Sequence, residues 1–176
     1  MAHDIRIAIS CPDRTGLLAA VTARLFDLGS NLGDTSFTVL GAEATYTCVA
    51  EMPDEVSVGN VQAELEGVPE LADADIAVSR FELEAVRGPS ALVTHRIDVR
   101  GDDRPGLVAR LAEAFADFGA NIVRMESERQ PGGAASGYLI RFEVWIPPER
   151  ADTCIATVAN TAESLGLSCN ASAAAA

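Results

Sequence analysis

The chain says the same thing twice, and that repeat constrains its fold more than any single residue does. Asp13-Arg14-Thr15-Gly16-Leu17 returns as Asp103-Arg104-Pro105-Gly106-Leu107, and Leu28-Gly29-Ser30-Asn31-Leu32 returns as Phe118-Gly119-Ala120-Asn121-Ile122. One offset relates both pairs, so nothing is inserted between the two signatures. An internal duplication sets the architecture first. It divides the 176 residues into two small domains, expected at 1–84 and 92–176 with a linker at 85–91.

Hydrophobic periodicity fills in each half. Ile5, Ile7 and Ile9 alternate with other residues as a half-buried strand. Leu17, Leu18, Val21, Leu25 and Leu28 trace one face of a helix. Asp13 is placed to cap its start, and Gly29 to end it. Phe37 and Val39 predict a second strand, Gly41-Ala42-Glu43 a turn, and Tyr46 to Met52 a third strand. Val58, Val61, Leu65 and Val68 predict a second helix. A last strand is expected near Ile76 to Leu83. Its alternation changes parity between Val78 and Phe81, which predicts a bulge there.

The second half repeats the order. Val93, His95, Ile97 and Val99 alternate as a strand; Leu107, Val108, Leu111, Phe115 and Phe118 form the helix face. Strands follow over Ile122 to Glu128 and Tyr138 to Ile146, with a flexible Gly- and Ala-rich loop expected over Gln130 to Gly137. Ile155, Val158, Ala162 and Leu165 predict the second helix, Leu167 to Ala171 a weak last strand, and Ser172 to Ala176 a frayed tail. Each half therefore reads as β-α-β-β-α-β, the ferredoxin-like arrangement of the α+β class, with two helices on one face of an antiparallel sheet.

Charge narrows the function classes. A net charge of −13 repels phosphate backbones and anionic membrane surfaces, so neither direct nucleic-acid nor membrane binding is expected. The N-terminus starts a strand pattern at once, without a signal-peptide pattern, and no apolar run reaches bilayer length. A cytoplasmic protein is expected. Cys11, Cys48, Cys154 and Cys169 are scattered and read as reduced, partly buried thiols, with no metal or cofactor role.

The repeated loop carries the candidate chemistry. Gly16 and Gly106 keep side chains away, so backbone N–H groups can approach a ligand. The electropositive helix start favours a carboxylate. Asp13 and Asp103 add a negative group, and Asn31 and Asn121 a donor and an acceptor. The strand that begins at each Asn is expected beside the first strand. Its start lies at the far end of the helix, so a partner copy would complete the site. A carboxylate binder, an ammonium binder and an amide suit a zwitterion, a free α-amino acid. Read as structure alone, Asp before a helix is a common cap and Gly-x-Asn after one a common turn. Structural ends tolerate Ser, Thr or Asn in place of Asp, so the duplicated Asp-Arg and Gly-x-Asn favour function.

D-R-x-G-L, an amphipathic helix and G-x-N-[LI] together resemble ACT domains, small regulatory modules that sense amino acids. The resemblance spans nearly the whole chain as two tandem copies. A free-standing acidic pair of this size is similar to the glycine cleavage system transcriptional repressor family, which implies action through a partner regulator or enzyme. The resemblance implies ligand contacts at Asp13, Arg14, Gly16, Leu17, Asn31 and Leu32, and at Asp103, Arg104, Gly106, Leu107, Asn121 and Ile122. It also implies sites formed where copies meet, a homo-oligomer, and a small amino acid, glycine or serine first. Thr15 replaces the usual Pro, and Gly33 stands where an apolar residue is expected, so the second copy fits the pattern better.

Two other readings compete. Acylphosphatases on the same fold use a loop arginine and a strand asparagine, which Arg14 and Asn31 echo, but their glycine-rich phosphate cradle is missing. No other catalytic arrangement stands out around His3, His95 or Asp102-Asp103, so no enzyme activity is expected. The stronger competitor is a pure interaction module or enzyme regulatory subunit that binds no small molecule. Under ligand binding, Asp103→Ala or Asn121→Ala abolishes a ligand response; under the interaction reading there is none to abolish.

Overall fold

The computed structural model describes residues 2–83, 88–129 and 137–174. It divides into two compact units, Met1–Val86 and Arg87–Ala176, each with its own core. The first unit runs β1 (Ala2–Pro12), α1 (Leu17–Asp27), β2 (Asn31–Leu40), β3 (Glu43–Pro53), α2 (Val58–Glu66), a short 3-10 turn (Pro69–Leu71) and β4 (Asp75–Arg80). The second repeats it as β5 (His95–Asp102), α3 (Leu107–Ala116), β6 (Asn121–Arg129), β7 (Gly137–Trp145), α4 (Ala151–Ser164) and β8 (Ser168–Ala173), with 3-10 turns at Pro89–Ala91 and Pro148–Arg150.

Both sheets are four-stranded and antiparallel, ordered β2-β3-β1-β4 and β6-β7-β5-β8. This is the ferredoxin-like order. The strand starting at Asn31 is therefore not beside β1, contrary to expectation. The β2–β3 hairpin brings β3 back between them, because strands joined by the short Gly41-Ala42 turn must pair with each other. β2 and β6 are thus edge strands.

Alternation decides which face is buried. Ile5, Ile7, Ile9 and Cys11 point the same way as Ala50, Cys48, Tyr46 and Ala44, their partners on β3, and all pack under Leu17, Val21, Leu25, Val61 and Leu65 of the helices. In the second unit Phe115 of α3 meets Phe142 of β7 with ring centroids 5.2 Å apart. The helices α1 and α3 end alike. Gly29 and Gly119 donate to the carbonyls of Phe26 and Ala116, and the next residues, Ser30 and Ala120, to those of Leu25 and Phe115. This is a Schellman ending.

Two local expectations are corrected. The parity change after Val78 produces no bulge: β4 pairs with β1 in continuous register and stops at Arg80. The bulges lie instead in β2, between Leu32 and Thr35, and in β6, between Ile122 and Arg124. Gly33 sits in the first of these, where an added Cβ would come within 3.0 Å of the Val49 carbonyl oxygen, which explains its departure from the apolar pattern. The expected tail is ordered through Ala173, which pairs with His95, and Ala174 donates to the Thr94 carbonyl; its end, 175–176, lies outside the described residues. So do residues 130–136 of the expected flexible loop and 84–87 of the linker region.

Candidate functional site

The D-R-x-G loops form the same turn twice. Gly16 (φ 89°, ψ −6°) and Gly106 (φ 85°, ψ 1°) are the residues before α1 and α3. Positive φ of this size favours glycine. Leu17 and Leu107, both buried, then drop into the core. Asp13 does not cap α1: no side chain caps either helix, and the Asp13 amide donates to the Ala42 carbonyl. Asp13 is three residues too early to reach the first turn once Gly16 takes the left-handed conformation. The first bonds back into the loop are Leu17 to Arg14 and Ala20 to Gly16, repeated as Leu107 to Arg104 and Arg110 to Gly106. That leaves the amides of Leu18 and Ala19, and of Val108 and Ala109, facing out of the helix start.

Asn31 and Asn121 lie elsewhere. Asn31 pairs with Glu51, which pairs with Asp4, while the Asp13 loop follows Pro12 at the other end of β1. Eight strand residues separate the two places, about 27 Å. Within one unit the loop and the asparagine are not brought together, and the same holds for Asp103 and Asn121. The acylphosphatase reading needs Arg14 and Asn31 on one substrate, and no single unit brings them together.

The two copies engage their site residues differently. Arg14 donates to the Ala72 carbonyl at 2.9 Å and lies 3.8 Å from the Asp73 carboxylate. Asp73 holds φ 66°. The second copy has Gly166 (φ 76°) at the corresponding turn, close to the Arg104 guanidinium but without a carboxylate. Arg104 is exposed and has no ion pair among the described residues. For the aspartates the situation reverses. Asp103 accepts two bonds from Arg129, at 2.7 and 3.1 Å, whereas Asp13 is exposed with no ion pair among the described residues. Both asparagines are exposed, but only Asn121 has a side-chain hydrogen bond among the described residues, to the Ser90 carbonyl at 2.8 Å. Leu32 is exposed and Ile122 half-buried at the bulges. Arg129, Asp73 and Ser90 went unnoticed in the sequence because no motif marks them.

Residues 95–144 match the ACT domain family. Among solved structures, an unknown protein from Galdieria sulphuraria is 20% identical with a TM-score of 0.79, over 99% of this chain and 100% of that one. A protein described as a candidate glycine cleavage system transcriptional repressor is 13% identical with a TM-score of 0.72, over 100% of this chain and 99% of that one. No curated protein matches by sequence. The chain has the fold of two ACT domains in tandem.

Each unit has two edge strands, β2 and β4 in the first and β6 and β8 in the second. In the first, the β2 edge and the neighbouring α1 carry exposed apolar side chains: Leu18, Phe26, Leu32, Val39 and Leu40, with Phe26 78% and Leu40 69% exposed. An apolar unpaired edge is a pairing surface. Two depressions flank the sheet of this unit. An open cleft of about 720 Å³ near the Asp13 loop is lined by Cys11, Leu40, Glu43, Asp73 and Asp75, among others. A smaller one of about 160 Å³ at the far end is lined by Asp4, Asn31, Gly33, Asp34, Val49 and Glu51. All four cysteines are free. Burial raises the thiol pKa of Cys11, Cys48 and Cys154 above the ordinary value, so these thiols stay protonated. Among the described residues no helix is long and apolar enough to cross a membrane.

Proposed function

We propose that this protein senses a small free amino acid, glycine or serine first, and passes its binding to a partner regulator or enzyme of amino-acid metabolism. One observation carries the reading. Both copies open a helix with a left-handed glycine around which an added Cβ would meet nothing within 4 Å. The backbone turn is kept twice while the space above it is left empty, as a carboxylate cradle requires. Asp13 beside the turn, together with the acidic surroundings of Asn31, where Asp4 and Glu51 lie, suits the ammonium end. The cradle and the asparagine stand at opposite ends of a unit, so a second chain supplies the missing half, and the apolar β2 edge is where it would pair. Homo-oligomerisation follows from the same edge. The resemblance of the full fold to a candidate repressor supports a regulatory rather than catalytic role.

Thermal melting of the full chain against the twenty free amino acids tests this. A ligand at about 100 times its Kd adds about 2.7 kcal/mol, a rise of roughly 5–10 °C for a chain of this size. A rise with one or two small amino acids is expected. Cooperative melting with no rise for any of the twenty would leave the interaction-module reading instead.

A further inference from the structure

The face of the second sheet turned away from its helices is a lattice of charges. Pairing of β6, β7 and β5 sets Arg124, Glu143 and Arg96 in one row, and Glu126, Arg141 and Asp98 in the next. The signs read plus, minus, plus above minus, plus, minus. Arg96 and Arg124 both bond Glu143, at 3.1 and 3.2 Å. Arg141 reaches Glu128 at 3.2 Å, and Arg100 lies 3.6 Å from Asp98. The four arginines remain 46–59% exposed. A pit of about 100 Å³ opens among the six residues.

The fold does not demand this pattern. The corresponding rows of the first sheet carry Val49, Arg6 and Ser79 in one and Ser36, Thr47, Ala8 and Ala77 in the next, with Arg6 the one charge among these seven residues. General acidity does not produce it either. In a chain with 26 acidic and 13 basic residues, this face gathers four arginines against four carboxylates and is locally neutral. A uniformly acidic or basic partner would meet as many repulsions as attractions on it.

A second copy of the same face fits. Consider a two-fold axis above the open face and parallel to the sheet, running across the strands between the two rows. Row then faces row with every sign reversed. Arg124 meets Glu126 of the second copy, Glu143 meets its Arg141, and Arg96 meets its Asp98. An axis along the strands would instead set like charges together. Glu126, which has no ion pair among the described residues, gains one. Such a contact is isologous, the commonest form of closed dimer. We propose that the open face of the second sheet is a self-complementary docking surface for a second copy of this chain, across that axis.

The test exploits the reversal of sign. Arg141→Glu sets Glu against Glu143 of an identical copy, and Glu143→Arg sets Arg against Arg141. Each variant alone should show half the mass of the native assembly by sedimentation equilibrium at low salt. Mixed one to one, they face opposite charges at both central positions, and the full mass should return. Circular dichroism checks that each is folded. The unaltered protein gives an independent reading: its association constant should fall about tenfold or more between about 0.05 and about 0.5 M salt, as screening shortens the Debye length. Variants that keep the native mass, folded variants whose mixture stays at half mass, or native association indifferent to salt would each overturn the proposal.

Discussion

Replacing Gly16 by alanine separates what the loop does for the fold from what it does for a ligand. The residue holds φ 89°, ψ −6°, and an added Cβ there touches nothing within 4 Å. The penalty is therefore purely that of the backbone, about 1–2 kcal/mol for an L-residue in the left-handed region. Alanine also restricts the unfolded chain, which offsets about 0.4–1 kcal/mol. The net loss should be near 1 kcal/mol, seen as a lower urea midpoint at unchanged slope and a fall of about 2–4 °C in Tm. Asparagine, which tolerates this conformation, should lose less than alanine, and valine more. Gly106, at φ 85°, should follow the same order. In the folded Ala variant the methyl stands in the open space over the helix start, so any ligand-induced stabilisation should shrink far more than stability does. A loss above about 3 kcal/mol, which would need a steric cause, or no difference between asparagine and valine, would refute the reasoning.

Three further outcomes follow from the same geometry. Arg14→Ala removes the bond to the Ala72 carbonyl and should lower stability by about 1 kcal/mol in urea titrations, while Arg104→Ala, with no ion pair to lose among the described residues, should change it by less than about 0.5 kcal/mol. The buried thiols of Cys11, Cys48 and Cys154 have folded pKa values above the ordinary 9.0, so the unfolded chain releases their protons first. Stability should fall as pH rises past 9, by up to about 1.4 kcal/mol per pH unit for each thiol, and Cys→Ala variants should flatten the fall seen in Tm against pH. Leu40→Lys on the apolar β2 edge should weaken the part of self-association that remains at about 0.5 M salt, measured by sedimentation velocity, because that contact is apolar while the charged face of the second sheet is screened.

The duplicated Asp-Arg-x-Gly and Gly-x-Asn segments, with the strand alternation of Ile5, Ile7 and Ile9 and the helical spacing of Leu17 to Leu28, made the βαββαβ order readable in each half. These are local signals with local causes. Strand order is not local. Nothing near Asn31 says that β3 will come between β2 and β1, because that depends on a hairpin pairing more than ten residues away. Capping failed for a similar reason. Asp13 looks like a cap until Gly16 takes a positive φ and becomes the helix boundary itself. The partners Asp73, Ser90 and Arg129 were invisible because each is an ordinary polar residue that matters only after folding brings it to the loop. The bulge explains Gly33 only once Val49 is seen behind it.

The difference between the copies leads to one more prediction. Asp13 is free of ion pairs among the described residues, and Asn31 is exposed; Asp103 is held by Arg129, and Asn121 by the Ser90 carbonyl. An aspartate already bonded to an arginine is a poor ligand for an ammonium group, since the ligand must displace the arginine first. The sequence alone favours the second copy; the geometry favours the first as the source of Asp and Asn. Asp13→Ala should therefore abolish amino-acid stabilisation and leave the ligand-free melting temperature within about 1 °C, because no ion pair is lost. Asp103→Ala should do the opposite. It removes a partly exposed pair with Arg129, lowering stability by about 0.2–1 kcal/mol in a salt-sensitive way, and retains the ligand response. Parallel melts of the two variants with and without the best ligand decide it. A lost response in Asp103→Ala with an intact one in Asp13→Ala would mean that the Arg129 contact opens on binding and that the second copy is the sensor.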